Sequence, residues 1–148
     1  MIEKTDIINF LNSIFIPIGF KRKGNNWVHN GDIITKMVNL QGSNYGNYFY
    51  LNYGFIIRKL QPTTHMHVFY RLGANTVEGN RRITDLLDIG SNISIEVRFS
   101  ELRSLVSEQI VTKFQVVNND EELLEGIKKL PTLNILPLIV KDYFHLPH

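Results

Sequence analysis

The feature that most constrains this chain is the alternation running through "VNLQGSNYGNYFYLNYGFII", residues 38 to 57. In an extended chain successive side chains point to opposite faces. The second half of the run therefore splits into Phe49, Leu51, Tyr53, Phe55 and Ile57 on one side and Tyr48, Tyr50, Asn52, Gly54 and Ile56 on the other. The first set is apolar throughout. Burying one Leu, Ile or Phe contributes roughly 1.5–3 kcal/mol, so leaving five such residues wet would cost more than a domain's net stability. One face of this strand must be covered, and the other is free to carry polar groups.

The neighbouring segments divide in the same way. "DIITKMVNLQ" buries Ile34, Val38 and Leu40 and leaves Thr35, Met37, Asn39 and Gln41; "HMHVFYRLG" buries Met66, Val68, Tyr70 and Leu72 and leaves His65, His67, Phe69 and Arg71. Turn signals separate the strands at Asn30-Gly31, "GSNYG" and "QPTT". A two-residue turn at Asn30-Gly31 pairs His29 with Asp32 and Trp27 with Ile34, which puts Trp27 in the core. "NISIEVRF" alternates Ile93, Ile95, Val97 and Phe99 against Ser94, Glu96 and Arg98 and reads as a fifth, half-buried strand whose place in the sheet is open.

Helices supply the cover. Residues 5 to 16 carry Ile7, Ile8, Leu11, Ile14 and Phe15 at helical spacing, with Thr5 or Asp6 as cap. Residues 81 to 88 suit a short helix, Ser100 suits the cap of another carrying Leu102, Leu105, Val106 and Ile110, "NNDEELLEGIKKL" is a third, and "NILPLIVKDYFHL" is helical if Asn134 caps it. The expectation is an α+β protein of two layers, an antiparallel β-meander of about five strands with helices packed on one face, in a single domain spanning 1–148.

Composition excludes whole chemistries. The chain has no cysteine, which removes disulfides, thiolate metal sites and a cysteine nucleophile. Acids at Glu3 and Asp6 stand where a signal peptide needs a basic start, and the longest apolar stretch is too short to span a bilayer, so a soluble cytoplasmic protein is expected. A formal charge of +2 is too balanced for a nucleic-acid-coating protein. The one dense basic run, Lys21-Arg22-Lys23, reads as a solvated loop.

The string "IGFKRKGNNWVHNGDIITKMVNLQGSNYGNYFYLNYG", followed by "HMHVFYRLG", resembles a family of bacterial proteins known as domain of unknown function 4304. The likeness covers residues 10 to 73. It carries no catalytic residues over; small families of this type resemble the immunity proteins that accompany secreted toxins, which implies a protein partner.

The candidate site is the polar side of the sheet: Asn39, Gln41, Tyr48, Tyr50, Asn52, His65, His67 and Arg71. Amides, tyrosines and arginine together suit protein recognition, and the amides could equally form a cross-strand ladder. His65 and His67 on one face could share a metal, but the central strands offer no third, acidic ligand, so neither metal nor cofactor is expected. The same histidines with Arg71 could act as acid, base and anion holder on a phosphate- or carboxylate-bearing substrate, which is the enzymatic alternative. The expected function is a binding module, in its most specific form an immunity-type protein that occludes a toxin, with a homodimer through the same face as a further possibility, no membrane association, and too few cations on the face for nucleic acid.

Overall fold

A computed structural model describes residues 2–60 and 66–148. The turn expected at "QPTT" and the candidate His65 lie outside the described residues.

Helix α1 (Lys4–Phe15) opens the chain. Its N-cap is Glu3, two or three residues before the cap expected at Thr5 or Asp6; the Asp6 carboxylate instead accepts a 2.8 Å hydrogen bond from the Glu3 N–H. Ile7, Ile8, Phe10, Leu11, Ile14 and Phe15 form its buried stripe. A 3₁₀ turn ends at Gly19 with φ of 99°, a left-handed conformation that favours glycine.

Five antiparallel strands follow in sequence order, β1 (Lys21–Lys23), β2 (Asn26–His29), β3 (Ile34–Gly42), β4 (Phe49–Ile57) and β5 (Val68–Arg71). The basic run Lys21-Arg22-Lys23, expected as a loop, is the first edge strand. Three exposed cations on a short edge discourage pairing with another sheet. The β2–β3 hairpin forms, but its register differs from a two-residue turn: Trp27 faces Val38 and His29 faces Lys36. The left-handed backbone that such a turn requires is absent at Asn30 and Gly31. Residues 30 to 33 make a longer loop instead, held by Arg58, whose guanidinium donates to the Gly31 carbonyl at 2.9 Å.

The alternation sorts the faces as expected. Trp27, Ile34, Val38, Leu40, Leu51, Tyr53, Phe55, Ile57 and Val68 are buried in one hydrophobic cluster with the helices. The Trp27 indole N–H reaches the Asn12 side chain on α1 at 2.9 Å, tying sheet to helix. Phe114 packs its ring edge-on against Phe15, Tyr53 and Phe55. One residue departs: Met66, expected under the helices, is buried on the opposite side, its sulfur against Gly54. Met66 lies before β5 begins, so the strand's alternation does not reach it.

Beyond the sheet the chain is helical: α2 (Val77–Leu86), α3 (Ile95–Val106), a π turn at Ser107–Val111, α4 (Thr112–Val116), α5 (Asp120–Lys128) and α6 (Leu138–Tyr143). The strand expected at "NISIEVRF" is instead the start of α3. Ser94, not Ser100, is the N-cap, accepting from the Val97 N–H at 3.2 Å. Burial reverses the expected pattern: Ile95 and Val97 are about half exposed, while Arg98 is 1% exposed. Arg98, Leu102 and Val106 lie on one helical stripe at intervals of four. The Arg98 guanidinium donates to the carbonyls of Asp85, Leu86, Asp88, Ser91 and Ile93 and to the Ser91 hydroxyl, over 2.7–3.3 Å. The first two of these carbonyls end α2, so a buried cation satisfies a helix C-terminus.

The C-terminal helix begins at Leu138 after Pro137, three residues beyond the Asn134 cap considered from sequence. Among the described residues no helix is long and apolar enough to cross a membrane.

Candidate functional site

The side of the sheet away from α1 carries a row of amides in direct register. Asn26 on β2 faces Asn39 on β3, Asn39 faces Asn52 on β4, and Asn52 faces Arg71 on β5. Directly opposed side chains lie close enough to interact, and here each does. The Asn39 amide nitrogen donates to Asn26 at 2.8 Å, and that of Asn52 donates to Asn39 at 3.1 Å and to Gln41 at 2.9 Å. Arg71 completes the row from the edge strand, with Nε donating to the Asn52 oxygen at 2.9 Å and Nη2 to Gln41 at 3.2 Å. Asn52 is the hub and is only 3% exposed.

An aromatic arm continues from Arg71. Its guanidinium carbon lies 4.0 Å from the Tyr50 ring centroid, a cation–π contact. Tyr50 meets Tyr48 edge-on at 5.5 Å between ring centres. The hydroxyls of Ser43 and Tyr50 hydrogen-bond the Tyr48 phenol and lower its pKa, whereas donation to Tyr48 raises that of Tyr50. The Tyr48 backbone is paired with that of Asp88 in an isolated antiparallel β-bridge, through the Phe49 N–H to the Leu87 carbonyl at 3.0 Å and the Ile89 N–H to the Asn47 carbonyl at 3.1 Å.

Beside the amide row lies a cleft of about 590 Å³. Asn26, Asn39, Gln41 and Asn52 give it a polar floor, Met37, Met66 and Phe69 give it apolar sides, and Ile135 and Pro137 from the segment before α6 line it as well. Phe69 and Ile135 are both exposed. Gly54 is required beneath: a Cβ there would stand 2.0 Å from the Val68 carbonyl oxygen, so β4 and β5 approach this closely only at glycine.

His67 also lines the cleft, but it is 1% exposed and its Nδ1 accepts the Ile57 backbone N–H at 2.9 Å. That bond fixes the neutral ring as the tautomer with its proton on Nε2. Nδ1 is thereby committed to the end of the β4 ladder. Among the described residues no group of three or more His, Asp or Glu side chains could hold a metal ion.

The structure thus brings Asn39, Gln41, Asn52, Arg71, Tyr50 and Tyr48 into one connected network and sets His67 at the cleft. Asn26 was missed from sequence because the assumed hairpin placed it opposite Thr35. Ile135 and Pro137 were missed because nothing local links residues so far along the chain to this face.

No curated protein and no solved structure matches the chain significantly. A family model described as Domain of unknown function (DUF4304) matches residues 11–116, which include the five strands and the amide row with its arginine, and the chain belongs to that family.

Proposed function

We propose that the chain is a non-catalytic binding module that takes a segment of a protein partner into the sheet-face cleft. The observation that carries this reading is the amide row: its members hold one another across four strands, so the polar floor is pre-organised before anything binds. Pre-organisation lowers the ordering cost that recognition otherwise meets. A floor of amides suits peptide backbone groups, the Met37, Met66, Phe69 and Ile135 sides suit apolar side chains, and Arg71 on Tyr50 supplies the residue types enriched in binding hot spots. Arg71 is the one cation of the row, too little positive charge for the phosphate neutralisation on which nucleic-acid binding depends. The commitment of His67 Nδ1 to a backbone N–H weighs against the histidine-based chemistry considered from sequence. In its most specific form the module is an immunity-type protein that blocks a toxin by occlusion.

Selection from a random peptide library tests the proposal. Binders recovered on the wild-type chain should lose binding to a Tyr50→Ala, Arg71→Ala double variant that keeps its melting temperature. Binders that ignore the double variant, or recovery of none, would refute it. A solution mass twice that of the chain would instead assign the face to a second copy.

A further inference from the structure

The amide row has a direction. Arginine has only N–H groups to offer, so Arg71, donating through Nε at 2.9 Å, obliges Asn52 to turn its oxygen toward β5. The Asn52 nitrogen is left to face β3, where it donates to Asn39 at 3.1 Å and to Gln41 at 2.9 Å. Asn39 must then present its oxygen to Asn52 and its nitrogen to Asn26, 2.8 Å away. Each amide passes the orientation to the next. Gln41 obeys the same order, its oxygen accepting from Asn52 and, at 3.2 Å, from Arg71 Nη2.

That order decides which groups are left over. Every amide oxygen of the row accepts a hydrogen bond from within it, whereas the nitrogens of Asn26 and Gln41 and Nη1 of Arg71 donate to nothing among the described residues. What the row turns outward is therefore donors. The local charge has the matching sign. Arg71 makes no ion pair among the described residues, no Asp or Glu lines the cleft, and Lys23 on β1 stands opposite Asn26, next in register beyond the row. Asp88, whose backbone pairs with Tyr48, has its Oδ1 on the Gly90 N–H at 2.8 Å. The donors at the two ends of the row, on β2 and β5, are three strand spacings apart, about 14 Å. That is too far for one small anion and about the reach of four extended residues.

We infer, resting on the sheet-face reading, that the partner segment is acidic: an extended stretch whose Asp or Glu side chain meets the Gln41 amide and the Arg71 guanidinium, with a backbone carbonyl at Asn26 and an apolar neighbour against Met37 and Phe69. The carboxylate supplies acceptors and negative charge where the row offers only donors and a cation.

Two synthetic random peptide libraries selected on the full chain test it, one amidated at the C-terminus so that only side chains carry carboxylates, the other with free C-termini. Amidated binders should be rich in Asp and Glu. Copies remade with Asn for Asp and Gln for Glu should bind about tenfold more weakly, since a hydrogen bond to a charged group is the stronger kind. Gln41→Glu is the variant that separates charge from shape. A carboxylate there still accepts from Asn52 and Arg71, so the melting temperature should hold, but it removes the outward donors and pairs the arginine. On it the preference for the acidic copy should vanish. Equal affinity of acidic and neutral copies for the wild type, a preference that survives in Gln41→Glu, or binders found only among peptides with free C-termini would overturn the inference. If such binders still fail on the Tyr50→Ala, Arg71→Ala double variant, the sheet-face reading stands without it; recovery of no binder from either library sinks both.

Discussion

Two polar networks in this protein are both buried at their centres yet stand in opposite relations to solvent. The Arg98 knot is sealed: the arginine is 1% exposed, and its partners are mostly backbone carbonyls gathered around it. The amide row is buried only at Asn52, while Gln41 and Arg71 at its margin are exposed. A buried polar group without a partner costs its full desolvation, whereas one that can turn to water costs little. The knot is therefore scaffold, and the row is a surface whose outer members can exchange each other for a ligand. The two are joined, because Arg98 holds the Asp88 carbonyl at 2.9 Å and Asp88 bridges Tyr48 at the end of the aromatic arm.

The largest effect should come from Arg98→Met. Methionine fills the stem's volume but strips the guanidinium from the carbonyls of Leu86, Ser91 and Ile93, and leaves those of Asp85 and Asp88 only their bonds from Ser91 and the local backbone. Leaving buried acceptors unsatisfied costs about 1–3 kcal/mol each, so several together should cost about 3–5 kcal/mol, read from the shift in urea midpoint at constant slope. A loss below about 1 kcal/mol would mean that water reaches the knot, and the contrast with the amide row would fail.

Asn52→Leu probes the row at its only sealed member. Asn39, Gln41 and Arg71 each lose a partner, but Gln41 and Arg71 are exposed and Asn39 is partly so, and all three can hydrate. The expected cost is about 1–2 kcal/mol, clearly less than at Arg98, together with a freed Arg71 that relaxation measurements on its side chain would register. A loss equal to that of Arg98→Met would show the row to be scaffold as well.

How much of this was legible depended on which error in register or period the chain tolerates. Placing Trp27 opposite Ile34 instead of Val38 is a slip of four residues, and an even slip keeps every side chain on its face. The core and the polar side were therefore readable even though the hairpin was wrong. The same slip concealed the row, because it set Asn26 against Thr35 and not against Asn39. At "NISIEVRF" the failure was of another kind. The string satisfies a period of two, and its true stripe begins with Arg98, a residue assumed to face solvent, so the helical spacing to Leu102 and Val106 could not be seen. What buries that arginine is a set of carbonyls, and carbonyls leave no mark in a sequence.

The tyrosines repeat the contrast on a smaller scale. Tyr53 on the covered face is pushed up to about 12, first by burial and then by Tyr70, while Tyr48 on the open face is lowered by its hydroxyl neighbours. A phenol whose folded pKa is raised keeps its proton when the unfolded chain, titrating near 10, has lost it. Its stabilisation is whole below about pH 10 and falls away as pH rises toward 12. Tyr143, held at about 12 by its hydrogen bond to Asp120, acts in the same direction. The melting temperature should therefore fall between pH 10 and 12, and Tyr53→Phe should flatten part of that fall. An unchanged slope in Tyr53→Phe would place water around its hydroxyl and erase the distinction between the faces.

The smallest stability effect is expected where binding should suffer most. Arg71 is exposed and Tyr50 half-buried, so Tyr50→Ala with Arg71→Ala should cost about 1 kcal/mol or less in stability, while a partner seated on the arm should lose about 2 kcal/mol or more. Arg71→Lys separates charge from shape. Lysine keeps the cation but cannot donate in the fixed fork that reaches both Asn52 and Gln41, nor lay a flat group on Tyr50. If Arg71→Lys binds peptides as the wild type does, a point charge suffices and the ordered row has no part in recognition. If it binds as poorly as the double alanine variant, the planar group locked between amides and ring is what the partner meets, and the open network is a site because, unlike the sealed one, its last member faces outward.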